Sequence, residues 1–150
     1  MKISNNGINL IKQFEGLSLK PYLDAVNIPT IGYGSTYYRD VKKVTLNDKT
    51  ISQDEANSLL EHIVNRDFAD KIFPSIKVKV SQNQFDAMVS LAYNIGAGAF
   101  LKSTLLKKVN AGDFVGAGEE FLRWNKAGGK EVLGLTKRRQ REKQLFLSLV

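Results

Sequence analysis

Two carboxyl groups and one hydroxyl lie close together in sequence, within residues 15–34. Glu15 follows an apolar pattern with helical spacing, whereas Asp24 lies in a turn-rich stretch and Thr30 opens a short predicted strand, residues 30–33. A carboxyl at a helix end and another on a neighbouring hairpin can face each other across a cleft. Glycoside hydrolysis uses such a pair, because one acid protonates the leaving oxygen while the other acts on water or on the anomeric carbon. The same spacing also fits solvated or capping acids, so the residues alone leave both interpretations open.

Helical patterns with capping signals predict the elements that position these groups. A first helix begins near Ser4 or Asn6, and the turn-rich residues 17–50 predict a small hairpin sheet. A capping box at residues 52–55 opens the longest predicted helix, about 53–72, which Pro74 ends. A second capping box at residues 81–84 opens another predicted helix, which Gly96 and Gly98 end. Shorter helices are predicted at about 104–110 and at about 114–124, the latter capped by Asp113. A final helix is predicted at about 137–148, with Thr136 as its cap.

This order of elements predicts an α+β, mainly helical fold in a single domain, residues 1–150. A small N-terminal lobe, about 1–52, carries the short β-hairpin sheet, and a helical C-terminal lobe covers about 73–150. The long helix at about 53–72 connects the two lobes. With 150 residues and 43% hydrophobic content, the chain can bury one sizeable core. Ligand sites favour junctions between lobes, so we expect a cleft there.

Composition argues against several functional classes. The chain has no cysteine, which excludes disulfides and thiolate chemistry. His62 is the only histidine and lies off the apolar face of its predicted helix, so neither a metal site nor a Ser/His/Asp triad is expected. Gly128-Gly129-Lys130 is followed by Glu131 rather than Ser or Thr and is not a phosphate loop. No apolar run is long enough for a membrane span, and the N-terminus does not resemble a signal peptide. We expect no cofactor and no metal.

Basic charge is concentrated in the second half of the chain. Residues 1–75 hold 9 Lys+Arg and 9 Asp+Glu, whereas residues 76–150 hold 13 and 6, which gives the whole net charge of +7. The densest stretch is residues 123–143, with eight basic residues. Such a surface favours polyanionic partners, and nucleic acid, anionic lipid and a carboxylate-bearing cell wall all qualify.

The spacing around the two acids resembles a known catalytic signature. Eight residues separate Glu15 from Asp24, five separate Asp24 from Thr30, and Ile-Gly-Tyr-Gly follows Thr30. This pattern is similar to the signature of the phage-type lysozymes, the endolysins of glycoside hydrolase family 24. Residues 83–87 and 93–96 resemble the central helix of that family and its cleft-facing end. Residues 121–124 and 134–146 resemble the C-terminal part of its lambdoid-phage branch, so the resemblance spans nearly the whole chain.

The resemblance implies a role for each matching residue. Glu15 is the general acid, and it needs apolar cover to hold its proton near neutral pH. Asp24 is expected to stay ionised and either to bind the attacking water, which Thr30 also holds, or to stabilise positive charge at the anomeric carbon. This pairing implies inversion and a carboxyl separation of roughly 6.5–9.5 Å. The expected substrate contacts are Gly32, Gly34, Tyr93, Asn94 and Arg138.

Two further expectations concern the surroundings of Glu15. Arg138 or Arg139 is expected to reach Glu15, with a solvated basic face as the equally weighted alternative. A nearby cation favours the carboxylate, so burial must outweigh it or the contact must loosen when substrate binds. Family members often carry a histidine where this chain has Ser35, and this departure removes a possible structural ion pair.

The implied function is hydrolysis of the β-1,4 bond between N-acetylmuramic acid and N-acetylglucosamine in bacterial peptidoglycan, for host cell lysis. The partners expected are peptidoglycan, a separate membrane-opening protein (holin), and an anionic membrane or outer-membrane surface contacted by the basic C-terminal part. We expect a monomer, held in the host cytoplasm until release to the wall, and no nucleic acid partner. The alternatives are a basic nucleic-acid-binding module, whose affinity would fall steeply with salt, and an inactive relative that binds the wall.

Overall fold

The computed structural model describes residues 1–148, and over that range the chain forms eight α-helices and two small antiparallel hairpins. The predicted α+β, mainly helical class is confirmed. The predicted domain end at residue 150 lies outside the described residues. The helices are α1 Asn5–Phe14, α2 Gln53–Val64, α3 Asp70–Ile72, α4 Gln82–Ile95, α5 Ala97–Leu101, α6 Thr104–Asn110, α7 Phe114–Glu120 and α8 Leu133–Leu147, and the strands are β1 Ser18–Leu23, β2 Pro29–Gly32, β3 Lys126–Ala127 and β4 Lys130–Glu131.

Most helix starts follow the predicted capping signals. The Ser4 hydroxyl caps α1 by accepting from Gly7 N, and both predicted capping boxes form, at Ser52 and Ser81. Asp113 caps α7 by accepting from Gly116 N. These caps satisfy backbone N–H groups that have no partner inside the helix, which fixes where each helix begins.

The connecting helix is helical over residues 53–72, as predicted, but it is not a regular α-helix. After α2 the chain forms a π-helical turn, Asn65–Ala69, in which Asp70 N–H donates to the Asn65 carbonyl. Helix α3 comes next, followed by a 3₁₀ turn, Phe73–Ser75. Pro74 in this turn has no N–H to continue the helix. Since a π-turn inserts one residue into the helical repeat, the side chains after Val64 rotate relative to those before it.

Three predictions about the second half were wrong in detail. Gly96, with φ 99°, ends α4 alone, because Gly98 lies inside the short helix α5. The last helix begins at Leu133 rather than 137. Its N-cap position is Val132, which has no side chain able to cap, and the Thr136 hydroxyl accepts from Asn125 Nδ2 at 3.1 Å.

The hairpin β3–β4 was also not predicted. Its turn residues Gly128 and Gly129 have φ of 60° and 80°, a left-handed geometry that glycine adopts without steric cost. The two strands carry only exposed side chains. Strands of two residues give no alternating apolar pattern, so the sequence contained no signal for them beyond the glycine pair.

Helix α4 runs through the main core and is buried along most of its length, residues 85–92. It packs between α1 and α8, while α6 and α7 pack on each other beside it. A second, smaller core lies between the hairpin β1–β2 and α2, and consists of Ile31, Val44, Leu59 and Ile63. Within residues 1–148, none of the helices combines the length and the apolar character needed to cross a bilayer.

Helix α1 is fixed to α4 at its N-terminal end by a buried carboxylate. Asp86 accepts hydrogen bonds from the backbone N–H and the hydroxyl of Ser4 and from Gln82 Nε2. Gly7 allows this close approach, because a Cβ there would lie 2.8 Å from Asp86 Cγ. The start of α1 is therefore fixed, and so is the direction in which the helix leads towards Glu15.

A buried ionic cluster joins α8 to α4. It consists of Arg138, Arg139 and Glu142 from α8 with Ser90 from α4, all at most 3% exposed. Glu142 Oε2 accepts from the Ser90 hydroxyl at 2.6 Å, from Arg139 Nη2 at 3.1 Å and from Arg138 Nε at 3.3 Å. Arg139 Nε also lies 2.7 Å from Glu142 Oε1, as an ion pair without hydrogen-bond alignment.

The charges within this cluster oppose the cost of burying them. Burial raises the pKa of Glu142, while Arg139, Arg138 and the Ser90 hydroxyl favour its ionised form. Burial likewise lowers the pKa of Arg139, and Glu142 opposes that shift. A carboxylate that accepts from two buried guanidiniums compensates the charge of both, and this pairing favours the ionised form of Glu142.

We predict that Glu142→Gln will lower the free energy of unfolding by about 3–5 kcal/mol, because it leaves two buried guanidiniums without their shared counter-ion. Urea unfolding followed by circular dichroism measures this. The matched control is Glu131→Gln at an exposed position, for which we expect no measurable change. A loss for Glu142→Gln as small as that of the control would show that the buried carboxyl is uncharged in the folded protein.

Candidate active site

A cleft of about 390 Å³ opens between the β1–β2 hairpin region, the π-helical turn and the C-terminal end of α4. Glu15 lies in its wall, at the residue that follows α1. Three of the predicted substrate contacts, Gly34, Tyr93 and Asn94, also line this cleft. The lining residues are Glu15, Gly34, Ser35, Thr36, Tyr37, Ile63, Asp67, Phe68, Tyr93 and Asn94.

Glu15 is held in the cleft wall through one carboxylate oxygen. Its backbone N–H closes the last turn of α1 by donating to the Ile11 carbonyl at 3.0 Å. Its Oε1 accepts from Arg138 Nη1 at 2.7 Å, and its side chain is 24% exposed. The other oxygen, Oε2, lies beside Gly34, 3.6 Å from where a Cβ of that residue would be. Glu15 is therefore both anchored and open to the cleft.

Arg138 connects Glu15 to the buried ionic cluster. Its Nη2 donates to the Ser90 carbonyl at 3.2 Å, and its guanidinium carbon lies 5.8 Å from the Phe14 ring centroid. The contact with Glu15 that the family resemblance implies is thus formed by Arg138, while Arg139 pairs with Glu142. The alternative of a solvated basic face is wrong for both arginines, because they are buried. The surface of residues 123–143 is correspondingly less basic than the sequence count indicates.

Asp24 lies in the loop between β1 and β2 and is held by that loop's backbone. Its Oδ1 accepts from the N–H groups of Val26 and Ile28, both at 2.9 Å. Its own N–H donates to the Ile28 carbonyl at 3.0 Å. Because both carboxylate bonds are made by Oδ1, the second oxygen is the one available to a ligand or a water molecule. Asp24 is not one of the residues that line the 390 Å³ cleft.

Thr30 and Gly32 lie in β2, away from the cleft lining. Thr30 is 3% exposed, and its hydroxyl donates to the Ile28 carbonyl at 2.8 Å, which ties it to the loop that holds Asp24. Gly32 is buried, with φ 68°, and a Cβ there would lie 3.9 Å from Ala56 and Leu59. Gly34, with φ 92°, is exposed beside Glu15. The geometry thus brings Gly34 to the cleft and places Gly32 over α2.

Tyr93 and Asn94 occupy the last turn of α4. The Tyr93 hydroxyl donates to the Tyr33 carbonyl at 3.0 Å, and its ring packs edge-on against Phe68 with centroids 5.1 Å apart. Burial raises the pKa of Tyr93, and the Glu15 carboxylate adds to this shift, so the hydroxyl remains a donor. Asn94 is exposed and lines the cleft.

Sequence reasoning missed the lining residues that follow the second glycine and those of the π-helical turn. Phe68 fits the apolar spacing of a core helix, and the structure half-buries it at the cleft. Asp67 lies beside it, and its two bonds with Arg66, at 2.8 and 3.0 Å, lower the pKa of Asp67. The apolar spacing of the sequence is that of a regular helix and contains no signal for a π-turn. The sequence therefore did not predict that these side chains line the cleft.

Comparisons with known proteins find relatives that match most of this chain. The family model for phage lysozymes matches residues 12–142. An endolysin of Bacillus phage B103 is 49% identical over 150 residues, and these cover 99% of this chain but 55% of the relative. An endolysin of Salmonella phage P22 is 42% identical over 148 residues, with 99% of both chains covered. The crystal structure of a P22 lysozyme mutant superimposes with a TM-score of 0.88, at 42% identity and over 99% of each chain.

These matches differ in how much of the relative they include. The chain spans about half the length of the Bacillus phage relative and nearly the whole length of the P22 relative. In each case the matched region contains the residues of the cleft. Given the family match over 131 of 150 residues, from 12 to 142, this chain belongs to the phage lysozyme family.

Proposed function

We propose that this chain is an endolysin-type muramidase, which hydrolyses the β-1,4 bond between N-acetylmuramic acid and N-acetylglucosamine in bacterial peptidoglycan. The observation that carries the proposal is the position of Glu15, a carboxyl anchored through one oxygen in the wall of a cleft. Membership of the phage lysozyme family supports the substrate class. The polymer is long, and a cleft open to solvent accommodates such a chain better than an enclosed cavity does.

Glu15 acts as the general acid through Oε2. Arg138 occupies Oε1, so the catalytic proton resides on the oxygen that faces Gly34 and the cleft. Arg138, which is paired with Glu142 on the other side of its guanidinium, holds Glu15 in this position. The proton then passes to the glycosidic oxygen as the bond breaks.

Asp24 provides the second carboxylate. Two backbone N–H groups hold Oδ1, and Oδ2 accepts a hydrogen bond from the attacking water. Thr30 supports this step by fixing the loop at Ile28, and its hydroxyl oxygen keeps lone pairs for the same water. A carboxylate that directs water rather than attacking carbon gives inversion at the anomeric centre.

Substrate contacts follow from exposure and chemistry. Gly34 leaves room for a sugar beside Glu15, and the exposed Asn94 amide suits an N-acetyl group. The Tyr93 ring is half-buried, so it offers an edge rather than a full stacking face. Arg138 acts through Glu15, and Gly32 shapes the hairpin over α2.

We predict that Glu15→Gln and Asp24→Asn each lower the rate of peptidoglycan hydrolysis at least ~100-fold, because each removes a carboxyl that takes part in the chemistry. Mass spectrometry of the digest should show new reducing-end N-acetylmuramic acid with wild type only. Proton NMR of the first product should show the α-anomer, as inversion of a β bond requires.

Two results would contradict this mechanism. Digestion products with anhydro ends would contradict the water-directing role of Asp24. A β-anomer as the first product would show that the enzyme retains the anomeric configuration. The matched control is Glu61→Gln, an exposed acid outside the cleft lining, which should keep wild-type activity.

The basic side chains that remain exposed on the C-terminal lobe would draw the enzyme to anionic surfaces. Lys126, Lys130 and Lys137 are exposed, whereas Arg123 and Lys143 pair with Glu120 and Glu119. An anionic cell wall is the first such surface, and an anionic membrane or outer-membrane surface is the second. Long-range attraction of this kind is screened by salt.

We predict that replacing Lys126, Lys130 and Lys137 by Gln together will slow lysis of cells at low salt and leave the rate unchanged at high salt. Turbidity assays across ionic strength measure this, with hydrolysis of soluble glycan as the control for an intact active site. Equal rates for the two proteins at every salt concentration would show that these lysines do not govern encounter. If the Glu15→Gln protein causes leakage from anionic vesicles, the basic surface also acts on anionic lipid.

We also propose that the enzyme remains in the host cytoplasm until a separate membrane-opening protein, a holin, releases it to the wall. The support is that the relatives from Bacillus phage B103 and Salmonella phage P22 are endolysins. Expression of this chain alone should then leave cells intact until the inner membrane is permeabilised, at which point turbidity should fall sharply. Lysis on expression without permeabilisation would show that the chain reaches the wall without a holin.

A further inference from the structure

Two solvent-exposed side chains of the cleft wall have no part in the chemistry assigned to Glu15 and Asp24. Tyr37 follows Gly34 by three residues and is 42% exposed. Asp67 belongs to the π-helical turn, and its side chain is 35% exposed. Both residues line the same cleft of about 390 Å³ as Glu15, so a ligand in that cleft can reach them.

The Asp67 carboxylate is ionised and is held in place by its neighbour in sequence. Arg66 donates to both of its oxygens, from Nε at 2.8 Å and from Nη2 at 3.0 Å, and these bonds lower the pKa of Asp67. Arg66 is held in turn, because its Nη1 donates to the Arg39 carbonyl at 3.0 Å. A carboxylate has about four lone-pair sites, so each oxygen of Asp67 can accept another hydrogen bond. Asp67 is thus an acceptor with a fixed position in the cleft wall.

This acceptor suits a neutral hydrogen-bond donor better than a second cation. Arg66 already places a positive charge 2.8 Å from the Asp67 carboxylate, so the pair as a whole carries no net charge. The hydroxyl and amide N–H groups of an amino sugar are neutral donors. Hydrogen bonds from such donors to an ionised acceptor are stronger than those between neutral groups.

Tyr37 offers the apolar surface that complements a carboxylate in a sugar site. Its backbone is fixed by an isolated antiparallel bridge with Lys43. Tyr93 also lines the cleft, but it is half-buried and packs edge-on against Phe68, so Tyr37 exposes more of its ring. Ligand sites typically combine aromatic surface with a few well-placed polar groups, and Tyr37 and Asp67 supply one of each.

We propose that Tyr37 and Asp67 form a sugar-binding subsite, in which the Tyr37 ring packs on a sugar and the Asp67 carboxylate accepts from a hydroxyl or amide N–H group of the glycan. This inference rests on the proposed muramidase function and adds two contacts to its binding site. Neither residue transfers a proton in the reaction. Their loss should therefore weaken binding of the glycan and leave the chemical step unchanged.

Asp67 is tested in a Glu15→Gln background, which prevents cleavage, by calorimetric titration with soluble glycan strands freed of their stem peptides. Adding Asp67→Asn should weaken binding ~10-fold, the loss expected for one hydrogen bond to a charged group. The matched control is Asp70→Asn, since Asp70 is exposed, follows Asp67 by three residues and is not among the residues that line the cleft. This control should bind as tightly as the background protein. The titration is repeated with strands that keep their peptides, for which the same loss is expected.

Tyr37 is tested with two substitutions in the same background. Tyr37→Ala removes the ring and should weaken binding ~3–10-fold, because part of an aromatic side chain is no longer covered by the sugar. Tyr37→Phe keeps the ring and should restore binding. In the active protein, Asp67→Asn and Tyr37→Ala should raise KM by similar factors with kcat unchanged, and thermal unfolding should show that each variant is folded at the assay temperature.

If either Asp67→Asn or Tyr37→Ala leaves binding unchanged, the subsite is wrong and the muramidase proposal stands. A fall in kcat without a rise in KM would also overturn it, since the residue would then act on the chemical step. A loss confined to strands that keep their peptides would show that the peptide, and not the sugar, is recognised. If wild type cleaves no peptidoglycan and the Glu15→Gln protein binds no glycan, the proposed function fails, and the subsite fails with it.

Discussion

The geometry of the cleft wall depends on one guanidinium that is shared by two carboxylates. Arg138 binds Glu15 on the cleft side and Glu142 on the core side, and it is almost completely buried. With Arg139 the four side chains sum to zero formal charge, so the cluster is neutral only while Glu15 is ionised. The charge of the Glu15 carboxylate is therefore coupled to two buried guanidiniums and to Glu142, so a change at any of these residues alters the electrostatics of the cleft wall.

Rigid elements at both ends of α1 convert this electrostatic contact into a defined position. Asp86 fixes the first turn of the helix, where Gly7 permits close packing, and Arg138 holds the residue after its last turn. Both anchoring points belong to the α1–α4–α8 core rather than to a loop. Residues placed by packed helices keep their geometry better than residues on flexible segments do. Asp24, by contrast, is held within residues 1–148 by hydrogen bonds of its own loop, so the two carboxyls differ in how firmly they are placed.

The sequence predicted those features that depend on local patterns. Ser52 and Ser81 marked helix starts through capping boxes, and the apolar spacing of α4 identified the central helix. It did not predict that Arg138 and Arg139 are buried, because eight basic residues in one stretch are typical of a solvated face. Their burial depends on Glu15 and Ser90, which are distant in sequence. The roles given to Glu15, Asp24 and Thr30 came from the family resemblance, since spacing alone left them undecided.

The π-helical turn shows why the cleft itself could not be read from the sequence. The apolar spacing of Leu60, Val64 and Phe68 predicts a core position for Phe68, and Phe68 does pack against both hydrophobic cores. Phe68 and Asp67 belong to the π-turn and also line the cleft, where the Phe68 ring contacts the Tyr93 ring. Such turns are rare and often occur at functional sites, because they displace side chains without breaking the helix. The connecting helix thus joins the two halves of the chain and also supplies part of the cleft wall.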